Sequence, residues 1–214
     1  FSSGTASNGN SGNLLLGSGA ATGGRAGAVY LTAGSGTSGA GGLLVLDAGR
    51  STTRSGGLVV IESGEGTATT SGALTIRTGN GGNIGSSGCL VFSSGSASGG
   101  NSGDFIVGTG TATAGRGGAV VLAIGSGTSG SGGSLTIGAG RSTVRSGGSV
   151  AFVSGEGTAT SSGAITLSSA NGGVSGMSGR LVFSTGSSKC GNSGMIHIGS
   201  GVATGGRGGA IFIT

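Results

Sequence analysis

The sequence predicts an all-β protein, a single parallel β-solenoid with about 15 residues per coil. Three observations favour this fold class. Apolar runs of three or four residues recur at a nearly constant interval, they are rich in β-branched and aliphatic residues, and Gly, Ser and Asn bound them. Helix is disfavoured, because 58 of the 214 residues are Gly, and each interior Gly costs a helix about 1 kcal/mol relative to Ala.

The interval between runs defines the predicted coils. Successive runs begin fifteen residues apart, except for two steps of sixteen that follow Leu74 and Ile165. Because those exceptions are 91 residues apart, as are Phe1, Phe92 and Phe183, the coils form a six-coil super-repeat of 91 residues. We expect one continuous solenoid with super-repeats at 1–91 and 92–182 and a partial third at 183–214. The extra residue of each long coil is expected in a loop, at 80–84 and at 171–175.

The predicted core follows from the alternation of side chains along a strand. The first and third residues of each run, such as Val29 and Leu31, are bulky and apolar and should point inward. Seven residues after each run begins there is a small residue, such as Gly36 or Ser51. This pattern predicts a flat, two-layer cross-section. Two glycine series, five residues after a run begins and two residues before the next, are expected at corners with positive φ or close backbone approach.

The middle residue of each run should point outward, and most of these residues are apolar. An exposed apolar stripe is typical of a contact surface, whereas strands also favour β-branched residues for their own sake. We expect lateral packing against another solenoid or a covering segment, through Leu15, Tyr30, Val45, Val60, Val91, Ile106, Val121, Val182 and Phe212.

Charges are sparse, at 7% of residues with a net charge of +5. They form no basic run and have no aromatic partners, so nucleic acid is not an expected partner. Stacked coils would place Arg50 beside Glu65 and Arg141 beside Glu156. These two inter-coil ion pairs would contribute about 0–1 kcal/mol each.

A Thr series lies eight residues after most runs begin. It includes Thr22, Thr37, Thr52, Thr67, Thr113, Thr128, Thr143, Thr158 and Thr204. A flat Thr ladder resembles that of ice-binding β-solenoids. Those proteins have short side chains in the column beside the ladder, whereas this chain has Arg50, Glu65 and Asn80 there. Stacked Thr also has a structural interpretation, since Thr pairs well across strands. Exposed Ser and Thr are candidate O-glycosylation sites, and no Asn-x-Ser/Thr sequon occurs.

The sequence indicates no catalytic, cofactor or metal site. His197 is the one histidine, and Asp47, Glu62 and Asp104 are isolated, so we expect no enzymatic activity. Cys89 and Cys190 would lie too far apart in a solenoid for an intrachain disulfide. No membrane span is expected. Because Phe1 and Thr214 fall inside repeats, we also expect a window of a longer array.

Two segments carry a resemblance to known proteins. They are Ser-Gly-Thr-Ser-Gly-Ser-Gly-Gly-Ser-Leu-Thr-Ile at 126–137 and Gly-Glu-Gly-Thr-Ala-Thr-Ser-Ser-Gly-Ala-Ile-Thr-Leu at 155–167. They resemble the Ser/Gly/Thr-rich β-solenoid arrays of extracellular fibre proteins of algae and protists, such as mastigoneme-like and cell-wall fibres, and of some bacterial surface proteins. The resemblance implies an extracellular or cell-surface structural segment, with copies of itself or other fibre subunits as partners. The alternative is an ice-binding or carbohydrate-binding module.

Overall fold

The computed structural model describes residues 1–214, and it contains no helix and no strand. The predicted all-β fold class, with its parallel β-solenoid or β-helix, is therefore wrong, as is its arrangement as one continuous solenoid. The chain is coil-like, with short extended segments joined by regularly spaced bends.

The hydrogen bonds explain why the predicted sheet is absent. Nine backbone–backbone hydrogen bonds form in the whole chain, and each joins residues three or eight positions apart. A folded globular protein has about one hydrogen bond per residue. None of the nine joins neighbouring repeats at a spacing of fifteen, so the ladder that would stack the coils does not form.

The surface area shows that the chain also has no core. It exposes 20992 Å², whereas a folded monomer of 19.4 kDa exposes about 8,500 Å² and its unfolded chain about 28,000 Å². No residue is buried. The predicted flat, two-layer core is therefore wrong: three-residue runs facing Gly, Ala and Ser offer too little apolar surface to offset the ordering of so glycine-rich a backbone.

The residues from Phe1 to Val107 form the first of two units of the chain. Its chain bends at 7–9, 22–24, 37–39, 52–54, 67–69, 83–85 and 98–100. Its local hydrogen bonds include those from the Gly42 N–H to the Gly34 oxygen, at 2.7 Å, and from the Gly57 N–H to the Gly49 oxygen, at 2.8 Å. A glycine of the second series thus donates a backbone hydrogen bond to the glycine eight positions earlier, in the first series, and closes a loop.

The residues from Gly108 to Thr214 form the second unit. Its bends lie at 113–115, 128–130, 143–145, 158–160, 174–176, 189–191 and 204–206. The same loop closure recurs, with the Gly148 N–H donating to the Gly140 oxygen at 2.9 Å. The boundary between the units falls within 92–182, and the super-repeats at 1–91, 92–182 and 183–214 stay a sequence prediction.

The two long repeats have a different bend. In each, the extra residue moves the bend one position further from the run, to 83–85 and 174–176. There the Gly85 N–H donates to the Gly82 oxygen at 3.2 Å, and the Gly176 N–H to the Gly173 oxygen at 3.1 Å. The extra residue therefore lies in the loop between runs, where it allows a tight four-residue turn.

The corner glycines owe their identity to close approach more than to positive φ. Only Gly4 and Gly9 have φ in the left-handed region. A Cβ on Gly42 would lie 3.1 Å from the Ala33 Cβ and from the backbone of Gly34, whereas a Cβ on Gly34 would meet nothing within 4 Å. The first series thus has room for a side chain. In the second series the approach is close at some positions, such as Gly57 and Gly118 at 3.1 and 3.2 Å, and ordinary at others, such as Gly72 and Gly103 at 3.5 and 3.6 Å.

Candidate assembly surface

The apolar runs are the one feature with an evident capacity for contact. Every Val, Leu, Ile, Met, Phe and Tyr side chain is at least 47% exposed. Monomeric soluble proteins rarely expose apolar surface on this scale, and large exposed patches mark interaction sites. The runs therefore form the candidate assembly surface of this chain.

Exposure alternates along many of the runs. Val29 is 49% exposed, Tyr30 86% and Leu31 58%. The other middle residues of the predicted lateral set are also exposed, namely Leu15, Val45, Val60, Val91, Ile106, Val121, Val182 and Phe212. The middle residues are thus available to a partner, and their lateral contact stays a prediction. The first and third residues, expected inside, are exposed as well, and that expectation is wrong.

Two neighbouring runs of the first unit form a groove of about 440 Å³. Its walls come from Val45–Ala48 and from Leu58–Ile61. Most of these side chains are aliphatic, and Asp47 is the one ionisable group among them. Glu62 follows directly after the second wall and is exposed. The groove is therefore lined mainly by apolar surface, with acidic residues at the ends of its runs.

The charges differ between the two units. Phe1–Val107 carries four Arg against Asp47, Glu62, Glu65 and Asp104, and so has no net charge. Gly108–Thr214 carries five Arg and Lys189 against Glu156 alone, and so has a net charge of +5. The whole excess of positive charge thus lies in the second unit.

The residues of the predicted ion pairs are all at the surface. Arg50, Glu65, Arg141 and Glu156 have exposed side chains. The stacked coils that would have brought them together are not formed, and their pairing stays a prediction.

The Thr series occupies the bends. Thr22, Thr37, Thr113 and Thr128 each stand at the first position of a three-residue bend, with exposed side chains. No strand carries them, so the chain presents no flat Thr-bearing sheet.

Three serines directly before the bends hold them through hydrogen bonds, whereas the sequence pattern predicts residues at this offset, such as Ser51, to lie opposite the bulky ones in a core. The Ser51 Oγ accepts a hydrogen bond from the Arg54 N–H at 2.9 Å, and the Ser142 Oγ accepts one from the Arg145 N–H at 2.9 Å. The Ser188 Oγ accepts one from the Gly191 N–H at 3.1 Å. These are serine turns. Their signal in the sequence is a Ser directly before the bend, where other repeats have Gly or Ala.

Other chemistry is sparse. No group of three His, Cys, Asp or Glu side chains is placed to hold a metal ion. Cys89 and Cys190 are both free and exposed, and His197 is exposed. No helix has the length and apolar character needed to cross a membrane.

Comparison of the chain with protein-family models, with curated proteins and with solved structures finds no match.

Proposed function

We propose that this chain is a structural protein, a repeating segment of an extracellular fibre or surface scaffold that assembles by packing its apolar runs against other copies or other fibre subunits. The exposure of every bulky apolar side chain carries the proposal. A single copy leaves these runs in water, and association would bury them at about 25 cal/mol per Å² of apolar surface.

The regular spacing of the runs supports a structural role. Runs at intervals of fifteen or sixteen residues present the same short apolar element many times along one chain. Many weak, similar contacts reinforce one another once a first contact holds two chains together. We propose no enzymatic activity, and exposed Ser and Thr side chains remain available to glycans.

A binding module for ice or carbohydrate is the second candidate. The exposed Thr side chains at the bends favour it, but without a strand they do not form the flat ladder on which that interpretation rested. Thermal hysteresis in a solution of the full chain would support ice binding over the structural role.

The structural role is tested by placing a charge in a run. We expect Val121→Lys or Ile106→Lys to weaken association about tenfold or more, because each buries an unpaired ammonium group at the contact. Thr128→Lys is the matched control, since it adds the same charge at an exposed bend. Sedimentation velocity and electron microscopy give the assembled fraction. Equal assembly of Val121→Lys and the wild-type chain would contradict the proposal.

A further inference from the structure

We propose that the groove between the runs at 44–46 and 59–61 of one copy receives the segment Arg180–Phe183 of a second copy. The inference rests on the proposed function, since it names one contact through which the copies would assemble.

The groove selects for an apolar segment with a positive end. The groove is lined by Val45, Leu46 and Val59–Ile61, and Asp47 lies in one of its walls. Glu62 extends the acidic end, because it directly follows Ile61. Both carboxylates are exposed and the walls are aliphatic. A partner segment therefore gains most if it buries aliphatic or aromatic side chains and places a cation beside Asp47.

The segment Arg180–Phe183 has this composition. Arg180 stands directly before Leu181-Val182-Phe183, and no other run is directly preceded by a basic residue. The three apolar side chains are exposed. Arg77 also adjoins a run, but the middle residue of that run is Thr75, which would place a hydroxyl in the apolar groove.

The order of residues gives the direction of the contact. Asp47 follows its run, whereas Arg180 precedes its run. Two extended segments that lie antiparallel therefore bring this carboxylate and this guanidinium to the same end. An Arg guanidinium can bond a carboxylate through two N–H groups, which also fixes the register.

The contact joins different parts of the two copies. The groove belongs to Phe1–Val107, which has no net charge, and the segment belongs to Gly108–Thr214, which carries +5. After one such contact, the copy that used its groove keeps a free segment, and the copy that used its segment keeps a free groove. Such heterologous contacts add subunits head to tail, and they build an open filament where the rotation between copies does not close a ring.

The super-repeat supplies internal comparisons. At a spacing of 91 residues, Gly138 and Val153 stand where Asp47 and Glu62 stand in the first copy of the repeat. Cys89 likewise stands where Arg180 does, before an identical Leu-Val-Phe run. The chain therefore contains a groove sequence without the acids and a segment without the cation.

Charge reversal of the full chain tests the pairing. We expect Asp47→Arg alone and Arg180→Asp alone each to raise the concentration needed for assembly roughly 3- to 10-fold, because like charges then meet at the groove. Mixed in equal amounts, the two variants should assemble as the wild-type chain does, since every groove then has a segment of opposite charge. Glu156→Arg and Arg207→Asp make the same changes in net charge away from the runs and should alter assembly less than about twofold.

The outcomes separate this inference from the proposed function. A wild-type chain that stays monomeric at all concentrations overturns both. A wild-type chain that assembles, with reversal variants no weaker than the two controls or with no recovery on mixing, overturns the pairing of the groove with Arg180–Phe183 and leaves the structural role standing.

Discussion

At the scale of single residues, the bends have two kinds of support. In repeats such as the one that contains Gly127, a Cβ at this position would press on the backbone oxygens of Gly130 and Ser131, so glycine is required for space. In the repeats with Ser51, Ser142 and Ser188, a hydroxyl accepts a backbone N–H across the bend instead. The same offset in the repeat therefore tolerates either residue, through different turn geometry.

We predict that Ser142→Ala loosens the bend at 143–145. The change removes the acceptor of the Arg145 N–H, and a hydrogen bond of this kind contributes about 0.5–1.5 kcal/mol net. Faster amide exchange of Arg145, measured by NMR on the full chain, would show the loss.

Ser134→Ala is a suitable control for that experiment, because Ser134 lies outside the bends and makes no hydrogen bond in the structure. Equal exchange at Arg145 in Ser142→Ala and in the wild-type chain would show that the serine does not hold the turn.

At the scale of the repeat, the sequence predicts spacing well and pairing poorly. The interval of fifteen and the two steps of sixteen match the spacing of the bends, as those at 37–39 and 83–85 show. The bends themselves lie between the glycines expected at the corners, such as Gly34 and Gly42, and not at them. The glycines chosen as corners do come together, as Gly34 and Gly42 illustrate. Strands were wrongly inferred from the β-branched runs. Three residues are shorter than the usual five to six of a strand, and a strand also needs a hydrogen-bonded neighbour, which propensity does not supply.

We predict that Gly42→Ala opens the loop at 34–42 and that Gly34→Ala does not. The two glycines are partners in one hydrogen bond of 2.7 Å, but only a Cβ on Gly42 meets backbone atoms, at 3.1 Å. The loss of this hydrogen bond in Gly42→Ala should destabilise the closed loop by about 0.5–1.5 kcal/mol. Gly34→Ala should leave its stability unchanged or raise it slightly, by about 0.4–1 kcal/mol.

The temperature dependence of the residue 42 amide shift, measured by NMR, distinguishes the two variants of this loop. In Gly42→Ala we expect the temperature dependence of a solvent-exposed amide. In Gly34→Ala we expect the temperature dependence of the wild-type chain. The reverse order, or no difference, would show that close packing does not determine the glycine at position 42.

At the scale of the whole molecule, the missing core is the feature that the sequence analysis failed to anticipate. The bulky first and third residues of each run are expected inside, but they are exposed, as Val29 and Leu31 are at 49% and 58%. The flat core required small residues such as Gly36 and Ser51 to lie opposite the bulky ones, whereas the structure uses Ser51 to hold a bend. The candidate assembly surface was predicted on the middle residues alone, and it extends to the whole of each run.

The distribution of charge is also a property of the whole molecule, and the positions of the charged residues can be read from the sequence. A net charge of +5 describes the chain only as a whole. Its division into a neutral unit and a basic unit becomes apparent once the boundary at Val107 is known. That asymmetry disfavours contacts between the basic parts of two neighbouring copies, because like charges would then meet.

The central claim is that one copy has no core of its own and that its apolar runs become buried only between copies. Sedimentation velocity across a concentration series, with far-ultraviolet circular dichroism at each concentration, tests it most directly. We predict a monomer at low concentration with a coil-like spectrum and no cooperative thermal transition, and larger species as the concentration rises. A monomer with a strand spectrum and a sharp, concentration-independent unfolding transition would contradict the claim.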